Sequence, residues 1–119
     1  MNINDRISMT RFRLSNHKLM IEKGRHRKID KSLRKCPFCM SIEDEMHFLV
    51  DCKTFLPLRS DLLVKVEDIT ENINVRRMEK KVLFTYLLTN SSIAPLIARY
   101  LTRAMGLRDF LIESPKGHV

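Results

Sequence analysis

The sequence predicts an all-α fold, a small helical domain of about five helices with one cysteine-bearing turn. Three observations predict it. Apolar residues recur at helical spacing through most of the 119 residues. Strand-like alternation is confined to the short stretch Arg11-Phe12-Arg13-Leu14. Pro57 and Pro95 fall where first helical turns are expected, a position that proline tolerates well. With 44% apolar and 30% charged residues, the composition is that of one globular domain spanning residues 1–119. Within it we distinguish a basic helix and loop (6–35), a cysteine-rich module (36–66) and a C-terminal helical hairpin (75–112).

Each element has its own signal. A first helix is expected from Asp5 or Ser8 to Gly24. Ile7, Leu14 and Ile21 recur every seven residues, with Met9, Phe12 and Leu19 on the neighbouring stripe. Gly24 stands where a left-handed helix stop would fall. Residues 25–35 have no sustained period and carry seven basic side chains, His26 included, so they read as a basic loop. Ser41 and Asp44 make a capping-box pattern. A helix is expected to start there, with Glu43, Asp44 and Glu45 on its positive end and Met46 to Val50 within it. The next helix begins near Thr54 or Phe55 and presents Leu58, Leu62 and Val66. Residues 68–74 read as a loop. Val75, Met78, Val82 and Tyr86 then mark a helix that Asn90 ends. Ser91 or Ser92 caps the last helix, whose stripe is Ile93, Leu96, Ile97, Tyr100, Ala104, Leu107 and Leu111. The tail from Glu113 onward is expected to fray.

Charge is unevenly distributed. The chain carries 22 Lys and Arg against 14 Asp and Glu, a net +8. Residues 1–35 are net +8, residues 36–71 net −5 and residues 72–119 net +5. Basic ends around an acidic centre point to a polyanion held through the ends. No apolar run approaches the roughly 18 residues of a membrane span. The N-terminal stretch lacks the apolar core of a secretory signal. The expectation is a nuclear or cytoplasmic chain, not secreted and without a membrane partner.

The chemistry lies in Cys36-Pro37-Phe38-Cys39, then His47, then Cys52, spaced C-x2-C-x7-H-x4-C. Three cysteines cannot all pair as disulfides, and with a histidine they form a metal-ligand set. Zinc takes four such ligands in a tetrahedron, and a complete Cys3His set leaves no open position for a catalytic water. The expected cofactor is therefore structural Zn2+ in a zinc-stabilised CxxC turn, with Arg34 and Lys35 lowering the thiol pKa values. Structural zinc contributes roughly 10–16 kcal/mol in finger-sized peptides, comparable to the whole stability of a small domain. Other readings are buried apolar cysteines with a core histidine, or a redox CxxC pair, which would need a strand–helix context not seen here. His17 and His26 are read as surface or nucleic-acid-facing residues.

Phe12-Arg13-Leu14-Ser15-Asn16-His17-Lys18-Leu19, Ile21-Glu22-Lys23-Gly24-Arg25, the CPFC turn and Glu45-Met46-His47-Phe48-Leu49-Val50-Asp51-Cys52 resemble the region downstream of the reverse transcriptase in non-LTR retrotransposons, a region that carries a Cys-Cys-His-Cys zinc-binding motif. The resemblance implies metal ligation by Cys36, Cys39, His47 and Cys52. It also implies a non-catalytic module handling RNA or DNA beside a reverse transcriptase domain. The expected nucleic-acid contacts are Arg11, Arg13, Lys18, Lys23, Arg25, Arg27, Lys28, Arg34 and Lys35, through phosphate neutralisation. His17, His26 or Phe38 would stack on an unpaired base, Phe38 being equally suited to packing beneath the zinc turn. The alternative function is a zinc-stabilised helical module for protein interaction or structure, docking on a polymerase domain or another partner. A metal-dependent hydrolase is the least favoured class, because the site is coordinatively closed.

Overall fold

The computed structural model describes residues 2–14, 17, 19–71 and 73–113. It is 76% helical and has no strand among those residues, so the all-α expectation holds. Five α-helices form it: α1 (Ile3–Arg13), α2 (Met20–His26), α3 (Leu56–Thr70), α4 (Lys80–Thr89) and α5 (Ala94–Glu113). Short 3-10 turns at Lys31–Leu33, Lys53–Phe55, Val75–Arg77 and Ser91–Ile93 join them, together with a π-helical turn over His47–Asp51. The frayed tail expected beyond Glu113 lies outside the described residues, as does Lys18.

The single first helix is in fact two. Asn2 caps α1, its side chain accepting from the Asp5 N–H at 2.8 Å. The buried stripe is Met9 and Phe12, continued by Leu19, whereas Ile7 is 42% and Leu14 72% exposed. The heptad of Ile7, Leu14 and Ile21 is therefore not the core face. The break lets α2 begin against Glu43. Met20 N donates to Glu43 Oε1 (2.7 Å) and Ile21 N to the Glu43 carbonyl (2.9 Å). A carboxylate from 23 residues downstream thus satisfies an orphan donor and complements the helix dipole.

Gly24 does not stop a helix. It lies buried within α2, where an added Cβ would come 2.3 Å from Cγ of Arg34. Arg34 crosses the helix there, donating to the carbonyls of Ile29 (2.9 Å) and Ile21 (3.2 Å). Part of the expected basic loop is thus helix and 3-10 turn.

α3 starts with Pro57 in its first turn and buries Arg59, Leu62, Leu63 and Val66, leaving Leu58 half-buried. It runs to Thr70, two residues into the expected loop. The helix anticipated from Val75 breaks at Met78 and restarts with Glu79 capping Lys81 N. The break rotates the buried face to Leu83 and Leu87, so Val82 is 52% exposed. The cap of the last helix is Asn90, whose Oδ1 accepts from Ser92 N at 3.0 Å.

α5 is the central helix. It packs chiefly on α1 and α3 and more lightly on α4. The Thr102–Ser8 hydroxyl bond (3.0 Å) and the Asp5–Arg99 approach (4.0 Å) show α1 and α5 running in the same direction. Phe48 and Phe55 meet edge-on at 4.8 Å between centroids and join the metal-site segment to this core.

Candidate metal centre

The first two cysteines are held by a tight turn. Lys35 and Ile42 form an antiparallel bridge. Inside it Cys36 N donates to the Ser41 carbonyl (2.6 Å) and Met40 N to the Cys36 carbonyl (3.1 Å). Closing the turn places Met40 at φ 63°, a left-handed conformation that non-glycine residues seldom adopt. Phe38 N reaches Cys36 Sγ at 3.5 Å. The Phe38 ring packs edge-on against Phe55 at 6.1 Å, so it lies beneath the turn.

Ser41 is engaged in that turn and does not cap a helix. Asp44 does, its Oδ1 accepting from His47 N at 2.8 Å. Glu43 is no helix-start charge, because it is fully buried and bound to Arg108 and α2. In a regular α-helix, residues five apart point about 140° away from one another. His47 and Cys52 would then face different ways. The wider π-turn removes the mismatch: Cys52 N donates to the His47 carbonyl at 2.7 Å, and both side chains come to the same side.

The four side chains converge. Cys36 Sγ lies 3.7 Å from Cys39 Sγ and 3.8 Å from Cys52 Sγ. Cys39 Sγ lies 3.3 Å from both Cys52 Sγ and His47 Nε2. All four donor atoms fall within 4.8 Å of one another. A disulfide would need about 2.05 Å between sulfurs. A tetrahedral ion with bonds of zinc length needs about 3.8 Å between sulfurs and about 3.6 Å between sulfur and nitrogen. The donor set therefore fits one metal ion. Cys36, Cys52 and His47 are buried and Cys39 is half-buried.

The surroundings orient the ligands. His47 Nδ1 faces Asp51 Oδ2 at 3.0 Å, which leaves Nε2 for the metal. Lys80, at the start of α4, ion-pairs with the other oxygen of Asp51. Lys80 first, and His47 after it, hold the Asp51 carboxyl below the usual carboxylate range. Arg59 donates to the carbonyls of Leu49 (3.0 Å) and Cys52 (2.7 Å) and so braces the end of the π-turn.

Burial pushes the Cys36 thiol up to about 12 and also raises Cys39. The expected lowering by Arg34 and Lys35 does not occur in the metal-free protein. Arg34 is spent on backbone carbonyls and Lys35 is exposed. Ionisation of the thiols must then come with the metal, releasing protons as it binds.

His17 is not a surface residue. Its Nε2 meets Glu45 Oε2 at 2.6 Å, its side chain is 3% exposed, and its ring lies 5.7 Å from that of Phe12. His26 is exposed. Of the basic residues expected to meet phosphate, Arg11, Arg25, Arg27, Lys28 and Lys35 are exposed and Lys23 is half-buried. Arg13 is exposed but donates to the Leu88 carbonyl at 3.0 Å. Asp51, Lys80 and Arg59 carried no sequence expectation. Only Asp51 had a readable signal, standing four residues after a ligand histidine on the same turn.

Fold and site together define a small all-α protein with a Cys3His cluster that can hold a metal ion. No protein-family model, no curated protein and no solved structure gives a significant match to this chain.

Proposed function

We propose that the chain is a zinc-binding, nucleic-acid-binding module of the kind found downstream of the reverse transcriptase in non-LTR retrotransposons, and that it is non-catalytic by itself. The observation that carries the reading is the convergence of Cys36, Cys39, His47 and Cys52 within 4.8 Å. Three thiols and an imidazole in that space suit zinc better than the hard, oxygen-seeking cations. The set fills a tetrahedron, so the ion's work is to fix the CxxC turn against the π-turn and the aromatic core.

The net charge of +8 supports a polyanionic partner, RNA or DNA. Arg11, Arg25, Arg27, Lys28 and Lys35 are exposed and suited to phosphate contacts, with Lys23 at their margin and Lys18 outside the described residues. Arg13 and Arg34 contribute less in this reading, being engaged with backbone carbonyls.

A protein-docking role is the second reading. Phe110, 67% exposed, and Val82, 52% exposed, favour it. Salt separates the two. Metal analysis of chain purified without added zinc is expected to give one zinc per molecule. Affinity for single-stranded RNA or duplex DNA is then expected to fall by orders of magnitude from low to moderate salt. A folded chain without zinc overturns the metal reading, and salt-insensitive or undetectable binding overturns the nucleic-acid reading.

A further inference from the structure

The chain buries two arginines, and only one of them has a carboxylate. Arg108, 1% exposed, is forked onto Glu43. Arg59, 5% exposed, bonds only to the carbonyls of Leu49 and Cys52, and no carboxylate pairs with it among the described residues. A guanidinium keeps its proton in proteins, so this charge is permanent. Carbonyl dipoles satisfy its N–H groups but do not cancel a full charge. A buried, uncompensated ion is among the most unfavourable features a fold can carry.

Its position makes the imbalance worse. Arg59 is the fourth residue of α3, at the end where the helix dipole is already positive. Tyr100 is the other polar group beside it, with a buried hydroxyl that has no hydrogen-bond partner. Burial keeps that phenol neutral, so it supplies no negative charge. Asp51 is already matched by Lys80. What remains is the metal centre. Two positive charges on the ion, three thiolates and a neutral imidazole sum to −1. Arg59 is bonded to the backbone of one ligand, Cys52, and to Leu49 in the turn that carries His47.

We propose that Arg59 is the buried counter-ion of an anionic metal–thiolate centre. Its charge favours ionised thiols, and so favours the loaded site over the empty one. The sequence places this cation seven residues past the last ligand, where the first turn of α3 folds it back against the Cys52 backbone. The inference rests on the metal-binding reading above. Arg59 is a positioning and charge-balancing residue in it, since it touches the ligands' backbone and not the ion.

Two variants of the full chain separate charge from bracing. Arg59→Lys keeps the charge and loses the fork, while Arg59→Gln keeps donors for a carbonyl and loses the charge. Zinc affinity is read by competition with a chromophoric chelator. Cobalt substitution, with its thiolate charge-transfer band, reports whether all three sulfurs are bound. The Gln variant is expected to bind zinc roughly ten- to hundredfold more weakly than the parent, with the Lys variant within a few-fold of it. A Gln variant that fails to fold with zinc, beside a Lys variant that folds and binds, carries the same meaning. The proposal is overturned by a Gln variant that binds like the parent, by a Lys variant as weak as Gln, or by a Lys variant that does not fold. A parent chain that binds no zinc overturns the metal reading itself, whatever the variants do.

Discussion

The Arg108 guanidinium grips the Glu43 carboxylate with two hydrogen bonds, Nε to Oε2 at 2.7 Å and Nη2 to Oε1 at 2.6 Å. Both side chains are inside the core, at 1% and 0% exposure. The same carboxylate receives Met20 N, so one buried group holds together α5, the start of α2 and the segment between the CxxC turn and His47. Breaking such a pair from one side leaves a buried charge alone. Glu43→Gln or Arg108→Met is expected to lower stability by about 3–5 kcal/mol. The joint replacement Glu43→Leu with Arg108→Met is expected to cost less than either single change, because no charge is stranded. Urea unfolding of the three variants checks this. Additive losses would show that the two side chains act independently.

The metal centre makes a graded prediction. Cys52→Ala removes a ligand and is expected to abolish tight zinc binding and loosen the turn. Asp51→Ala leaves all four ligands but frees the His47 ring. It is expected to weaken zinc roughly 10–100-fold with the helical content retained. Chelator competition followed by far-ultraviolet circular dichroism distinguishes the two. An Asp51→Ala variant with unchanged affinity would show that packing alone orients His47.

Tyr100 gives a pH dependence with a definite sign. Burial raises its hydroxyl from the ordinary 10.0 to about 12. In the unfolded chain the phenol ionises first, so stability is full below pH 10 and is lost as pH rises toward 12. The loss amounts to about 2–3 kcal/mol for two pH units. Since the hydroxyl has no hydrogen-bond partner, Tyr100→Phe is expected to leave stability at pH 7 unchanged or slightly raised and to remove this alkaline loss. Denaturant melts from pH 8 to 12 on parent and variant test it. A Phe variant that is strongly destabilised at pH 7 would reveal a bond to the hydroxyl.

Local pattern made some of this readable and long-range contact hid the rest. The ligand quartet was legible because metal chemistry fixes residue type and spacing. The turn at Asn90 and the start of α5 were legible because caps and proline act within one turn. The break between α1 and α2 was not, since what rewards it is the carboxylate of Glu43, 23 residues beyond Met20. The exposed Val82 was misplaced for a similar reason: the helical period was right, but the interruption at Met78 shifted its phase. Arg59 and Arg108 read as ordinary surface cations, because no local feature tells a buried arginine from an exposed one.

The two helix-borne glycines are expected to respond in opposite directions to the same change. Gly24→Ala would put a Cβ 2.3 Å from Cγ and 2.6 Å from Cδ of Arg34. Either Arg34 gives up its bonds to Ile29 and Ile21 or α2 shifts, at about 1–3 kcal/mol. Gly106, in the middle of α5, has nothing within 4 Å of an added Cβ. Gly106→Ala is therefore expected to stabilise the protein by about 0.5–1 kcal/mol through helix propensity alone. Thermal melts of both variants give the sign directly. The clash itself is tested by adding Arg34→Ala to Gly24→Ala. If crowding by the Arg34 side chain is the cause, Gly24→Ala costs little in that background, and an undiminished cost would place the constraint in the α2 backbone instead.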